Sequence, residues 1–283
     1  RSADSHKGTW GYAAIIGGSM RYGGAVRLAA AASAAMRSGA GVVRIGAPKS
    51  ICPLILPQIL EATLQPLPDK DGVLEYSPSD VDKLTSGTKS VTFGMGIEQS
   101  EGSRNTLLHI LENYPGTLVA DAGGLNILAQ EIHNREGADI IKNSACRAVI
   151  LTPHPGEFSR LAGMSIAEVL ADPCGAALGL AESLGEKAVV LLKGPATVVA
   201  SRGRAFIVEA GCPGMGTAGS GDVLSGVLSA LSCYIPDPVA AAWSAAYVAG
   251  KAGEAAEEKF GAVSMIASDT IAELPGVFKK ICK

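Results

Sequence analysis

The chain has 283 residues, of which 47% are apolar and 18% charged, with a formal net charge of −3. This is enough apolar material for a large core and too little charge for a disordered chain. No dense Lys/Arg patch is present, which argues against affinity built on neutralised phosphates and against a polybasic membrane anchor, so neither nucleic acid nor membrane is an expected partner.

In chain order, "YAAIIGGS" (12–19) is a short apolar run ending in glycines, the pattern of a buried strand feeding a turn. "GGAVRLAAAASAAMRSGAG" (23–41) has high helix propensity and stops at Gly39. "VVRIGAP" (42–48) reads as a second strand. The stretch from Gln65 to Lys89, with three prolines, is the one candidate for a domain boundary and reads rather as a long loop between strands. Alternation then continues: "KSVTFGMGIE" is strand and loop, "SRNTLLHILENY" is helix, and "GTLVADAGGLNIL" is strand, turn and helix start. "CRAVILTPHPGEFSRLAG" repeats that form. "AALGLAESLGEKAVVLLKGPATVVAS" predicts a helix and two strands joined across Gly194-Pro195. Two Ala-rich helices, near 219–232 and 238–257, are expected to close the chain. Such alternation predicts an α/β fold with a mostly parallel sheet covered on both faces. No repeat or composition break divides the chain, so residues 1–283 are expected to form one domain.

Six cysteines are scattered without C-x-x-C or Cys/His metal spacing, as in core thiols of a reducing compartment. The opening residues lack a basic-then-apolar leader pattern, and no uninterrupted apolar run reaches membrane-spanning length. The cytoplasm is the expected location.

In open parallel sheets ligands gather beyond the carboxyl ends of the strands. Six polar, glycine-rich clusters are expected there: "GGSMRYGGA", "GMGIE", "DAGGLN", "TPHPGE", "KGPAT" and "GMGTAGSGD". In the last, glycines 216, 219 and 221 let main-chain amides approach a ligand, and successive N–H groups ahead of a helix can surround an oxyanion. Asp222, where this loop becomes helical, is either a first-turn acid that favours the helix dipole or a group that acts beside a bound phosphate. The loop has neither the spacing of a P-loop nor that of a dinucleotide fingerprint.

"GMGTAGSGDVLSG" resembles the signature of ribokinase-like small-molecule kinases. Taken in order with "HKGTWG", "FGMGIE", "DAGGLN", "ILTPHPGEFSRL" and "LLKGPATVV", it resembles the ADP/ATP-dependent NAD(P)H-hydrate dehydratases over nearly the whole chain. The resemblance implies a ribokinase-like three-layer α/β/α fold. It also implies a nucleotide-dependent hydro-lyase that returns the S-epimer of hydrated NADH or NADPH to the reduced cofactor. ADP or ATP would phosphorylate the hydroxyl, and phosphate, a far better leaving group than hydroxide, would then depart. Magnesium is implied by phosphate transfer, with no protein metal cage in the sequence, and the family often forms homo-tetramers. Two other readings stand beside this one: a kinase of a vitamin-precursor alcohol, and a nucleotide-binding sensor without catalysis.

On this resemblance Asp222 matches the catalytic aspartate, placed to accept the proton of the substrate hydroxyl. Gly219 and Gly221 would hold the transferred phosphate. Lys193, Gly194, Pro195, Ala196 and Thr197 would pass along the nucleotide, with Lys193 either a point charge on phosphate or a solvated strand-end lysine. Ala25, Gly96, Asn126 and His154, together with Asp222, match substrate-binding positions. For Asn126 a helix cap is the alternative, and for His154 a turn histidine bonded to backbone. Glu157 is read first as a helix cap and second as a group orienting magnesium. Lys7 lies in the matching "HKG" stretch or is only a mobile terminal residue. The chain departs from the family at Gly123, where an acid is usual, at Gly124, where alanine is usual, at Cys212, and at Ala218, which requires a negative φ.

Overall fold

The computed structural model describes residues 2–30, 34–55, 57, 60–134 and 139–282. Strand β1 (Tyr12–Ile16) leads to α1 (Gly23–Ala30), α2 (Ala34–Arg37), β2 (Val42–Pro48) and α3 (Cys52–Ile55). Residues 31–33, the middle of the helix predicted between Gly23 and Gly39, lie outside the described residues. Next come β3 (Thr63–Leu67), β4 (Asp69–Lys70), β5 (Val73–Leu74), α4 (Pro78–Thr85), β6 (Ser90–Phe93) and α5 (Glu101–Asn113). Strand β7 (Thr117–Ala120) is followed by α6 (Gly123–Asn134), α7 (Asp139–Lys142), β8 (Ala148–Leu151), α8 (Pro155–Ala162), α9 (Ile166–Ala171) and α10 (Pro173–Leu184). The chain continues through β9 (Ala188–Leu192), β10 (Thr197–Ser201), β11 (Arg204–Val208), α11 (Ser220–Tyr234), α12 (Pro238–Phe260) and α13 (Ala267–Ile281).

One nine-stranded sheet organises these elements in the order β11-β10-β9-β8-β7-β6-β1-β2-β3. The seven strands from β9 to β3 are parallel, and β10 and β11 add an antiparallel hairpin at one edge. Alternate side chains leave opposite faces. Ala14, Phe93, Leu118, Leu151 and Val190 face α4, α5, α6, α8 and α10. Ile15, Ile45, Val119, Ile150 and Val189 face α1, α11, α12 and α13. Both faces are therefore dry, which is why the inner strands are almost continuously apolar rather than alternating. The predicted three-layer α/β/α architecture is the one observed.

Three expectations about individual elements need correction. The stretch from Gln65 to Lys89 holds the end of β3, the small β4–β5 hairpin and α4, where Val81 and Leu84 are buried. Its prolines sit at a strand, between strands and at the first turn of a helix, where a missing N–H is tolerated. A third helix, α13, follows the two Ala-rich ones and buries Leu274 and Val277 despite its internal Pro275. The strand β11, "RAFIV", pairs antiparallel with β10 and was not anticipated.

Candidate active site

Five of the six glycine-rich clusters directly follow β1, β6, β7, β8 and β9, and so share the carboxyl edge of the parallel sheet. The sixth leaves β11, which the two antiparallel pairings turn back to the same direction as β9. Strand order reverses at β1, with β2 on one side and β6 on the other, and that is where an open sheet leaves a crevice. Hydrogen bonds tie the loops together: Gly18 donates to the Met95 carbonyl, and the Lys193 amide donates to the Pro153 carbonyl at 2.8 Å.

Three carboxylates and one ammonium meet at this edge. Asp121, just beyond β7, is 2% exposed. Its Oδ1 lies 2.9 Å from Lys193 Nζ, and its Oδ2 accepts a 2.8 Å bond from Ser225 Oγ on α11. Glu157 Oε2 is 3.9 Å from the same ammonium. Burial disfavours the Lys193 charge, but Asp121, Glu157 and Asp222 outweigh it and hold the pKa above the ordinary lysine value. Asp222 stands in the first turn of α11. Burial, and after it the negative charge of Asp121, pushes its carboxyl up to about 7 against the pull of Lys193.

The loop before Asp222 has little freedom. Gly219 caps α11 with φ +95°, and a Cβ there would stand 2.6 Å from Leu28 Cδ1. Gly221 comes so close to the ion cluster that its Cβ would lie 3.3 Å from Lys193 Nζ. The run "GCPGMG" is tied to α12, where Glu254 accepts from the Gly211 amide and Glu257 from the Gly214 amide. Ala218 does not adopt a positive φ, so it fits where a glycine is frequent.

Other predicted positions fall as follows. A Cβ on Gly96 would lie 3.0 Å from the Cβ of Ala25, so the structure brings these two together. Gly194, Pro195 and Ala196 are exposed beside Lys193, and Thr197 opens β10. His154 is the N-cap of α8: its Nδ1 accepts from the amides of Gly156 and Glu157. Glu157 completes the capping box by accepting from the His154 amide at 2.9 Å. The cap reading of Glu157 therefore holds, and the carboxylate also faces Lys193. Asn126 is not a cap; its Oδ1 accepts from Arg160 Nε at 2.9 Å, joining α6 to α8. Lys7 lies away from the cluster, its carbonyl against Gly41 at the amino end of β2, the opposite sheet edge.

Sequence reasoning missed Asp121 and Ser225. The available signal was an acid closing an apolar strand, "TLVAD", on the edge where ligand groups gather. Gly123, two residues on, has no room for the acid usual in the family, because a Cβ would collide with the Ile97 carbonyl.

Chemically, the edge combines a carboxyl that changes charge near neutral pH, an ammonium, and the amides of a helix start. The two charged groups suit proton removal and the steadying of a phosphoryl group, and the amides suit an anion. Among the described residues no group of three His, Cys, Asp or Glu side chains is placed to hold a metal ion, and no helix is long and apolar enough to cross a membrane.

Comparison with known proteins fits this geometry. A family model described as NAD(P)H-hydrate dehydratase matches residues 13–275. The ADP-dependent (S)-NAD(P)H-hydrate dehydratase of Neisseria meningitidis is 34% identical, the match covering 96% of this chain and 86% of that protein. A bifunctional NAD(P)H-hydrate repair enzyme of Moorella thermoacetica is 33% identical over 99% of this chain and 52% of its own length, so the chain spans about half of such relatives. The crystal structure of the ADP/ATP-dependent NAD(P)H-hydrate dehydratase from Bacillus subtilis, co-crystallised with ATP and Mg2+, superposes with TM-score 0.82 at 31% identity. That match covers 99% of this chain and 93% of that one.

Proposed function

The chain belongs to the NAD(P)H-hydrate dehydratase family, and we propose that it restores NADH and NADPH from the S-epimers of their hydrates in a reaction driven by ADP or ATP. The observation that carries this reading is Asp222, a carboxyl with a pKa near 7 in the first turn of α11. It stands behind a glycine loop and close enough to feel the Lys193 charge.

In this reading Asp222 takes the proton of the hydrate's hydroxyl as that oxygen attacks the terminal phosphorus. An O–P bond forms, and the bond from that phosphorus to the rest of the nucleotide breaks. Phosphate then leaves from the ring carbon while a neighbouring C–H proton is lost, which restores the dihydropyridine. Gly219, Gly221 and the α11 amides behind them would grip the phosphoryl group, and Lys193 would neutralise its developing charge. Residues Gly194 to Thr197 would run beside the nucleotide. Ala25, Gly96, Asn126 and His154 would border the hydrate. With no side-chain cage among the described residues, magnesium would be held mainly by phosphate oxygens and water, and its chemistry when bound is charge neutralisation.

The reading takes residues 1–283 as one catalytic domain, supported by the single large sheet, working in the cytoplasm. A homo-oligomer is part of it, supported by apolar surface that the monomer leaves open. Trp243 and Tyr247 stack at 5.2 Å on α12, close to the exposed Phe206 and Ile207 of the edge strand β11.

The direct test supplies hydrated cofactor with ADP or ATP and follows the return of dihydronicotinamide absorbance. Folded protein that restores nothing with either nucleotide refutes the proposal. Mass spectrometry of the product separates dehydration from simple phosphorylation, which would leave a stable ester.

A further inference from the structure

Asp121 joins groups that lie 72 and 104 residues away in the chain, Lys193 beyond β9 and Ser225 on α11. A carboxylate buried this deeply is costly unless it is paired and hydrogen-bonded, and here each oxygen has its own partner. We propose that Asp121 is a positioning residue, which holds the Lys193 ammonium beside the first turn of α11 where Asp222 stands and does not itself touch the reacting groups.

The local backbone supports this role. Ala122, directly after Asp121, adopts φ +47°, a strained conformation for a residue with a side chain. Gly94 passes so close to the Asp121 carbonyl that any Cβ there would collide with it. Ser225 lies three residues after Asp222, on the same face of α11, so the hydroxyl that holds Asp121 also sets its distance from Asp222. The charged groups facing Asp222 are Asp121 from the end of β7 and Lys193 from the end of β9. Glu157, from α8, acts through its approach to Lys193.

The two groups have opposite effects on Asp222: Asp121 raises its pKa and Lys193 lowers it. Removing either charge alone shifts the midpoint whatever Asp121 does for the lysine; a positioning role shows instead in the coupling of the two, because the lysine's pull on Asp222 should weaken once Asp121 no longer holds it. This inference rests on Asp222 being the base, so the experiment reads Asp222 itself, without substrate. Protein carrying 13C-carboxyl aspartate is titrated by NMR, with the Asp222 resonance identified by its loss in Asp222→Asn.

The expected midpoint is near 7 in the unaltered protein and higher in Lys193→Met, and the rise that Lys193→Met causes should shrink at least about twofold when it is made in an Asp121→Asn background. Alongside, Asp121→Asn should lower kcat by about ten- to a hundred-fold, leave the nucleotide KM nearly unchanged, and move the acid limb of the pH profile with the midpoint. A Lys193→Met rise of the same size in both backgrounds overturns the proposal. If Asp121→Asn does not fold, Ser225→Ala, which removes the anchor of the other Asp121 oxygen, serves as the second background, and the same shrinkage is expected. A protein that turns over no hydrate but gives this coupling would refute the functional reading alone.

Discussion

Lys193 and Gly221 approach so closely that a methyl group on the glycine would sit 3.3 Å from the lysine Nζ. Gly221 belongs to α11 and its φ is not positive, so alanine suits its backbone and gains up to about 1 kcal/mol of helix propensity, set against displacement of an ammonium that Asp121 holds. The same methyl intrudes where a phosphoryl group would meet the ammonium. Gly221→Ala is therefore expected to shift stability by no more than about 1 kcal/mol while lowering turnover at least about tenfold. Thermal melts and dehydration assays on the same sample check this, and unaltered turnover would take the phosphoryl group away from this loop.

Gly219→Ala should lose stability outright. Its φ of +95° and the contact with Leu28 penalise any side chain, so a loss of about 1–3 kcal/mol in stability is expected. Gly216→Ala is the control, since no atom lies within 4 Å of a Cβ there and its φ is not positive. Denaturant unfolding of the two variants compares them directly.

Asp222 ties activity and stability to pH. In the proposed role of base it works deprotonated, so kcat/KM is expected to rise about tenfold per pH unit on the acid side and level off above about 7. Its carboxyl is raised from 3.8 to about 7 on folding, so between those values the folded state binds the proton that the unfolded state has released. The stabilising contribution is complete below about 3.8 and is lost as pH rises through 7. Asp222→Asn, which stays neutral, should lower turnover by about 10²- to 10⁴-fold and retain nucleotide affinity. It should also melt higher than the parent at pH 8 and equally at pH 4. At about 1.4 kcal/mol per unit, the gain is at most about 4 kcal/mol.

The layers of the fold were legible because buried strands such as "YAAII" and "AVVLL" are short apolar runs cut off by glycine or a charge, and those runs are β1 and β9. The carboxyl-edge loops were legible for the same reason. What stayed hidden depends on distant partners. Nothing local in "DAGGLN" reveals that Asp121 pairs with Lys193, and α13 was obscured by Pro275 inside an amphipathic run. The sequence leaves His154 open between two roles, and the structure realises its backbone-bonded role without excluding a ligand: Nδ1 is engaged by two amides while the side chain remains largely exposed.

His154 consequently separates capping from binding. Its Nδ1 serves two amides at the start of α8, and losing such a cap costs about 1 kcal/mol. The remaining ring nitrogen, Nε2, lies 3.6 Å from Glu157 Oε2 at the carboxyl edge of the sheet. Asparagine is a strong N-cap but too short to carry a polar atom as far as the imidazole does. His154→Ala should lose both the cap and the reach, giving lower stability and a raised KM for the hydrate. His154→Asn should regain the stability and keep the raised KM. Unfolding curves measured beside steady-state kinetics distinguish the two effects. If asparagine restores KM together with stability, the histidine acts only as a cap and the hydrate lies elsewhere along the edge.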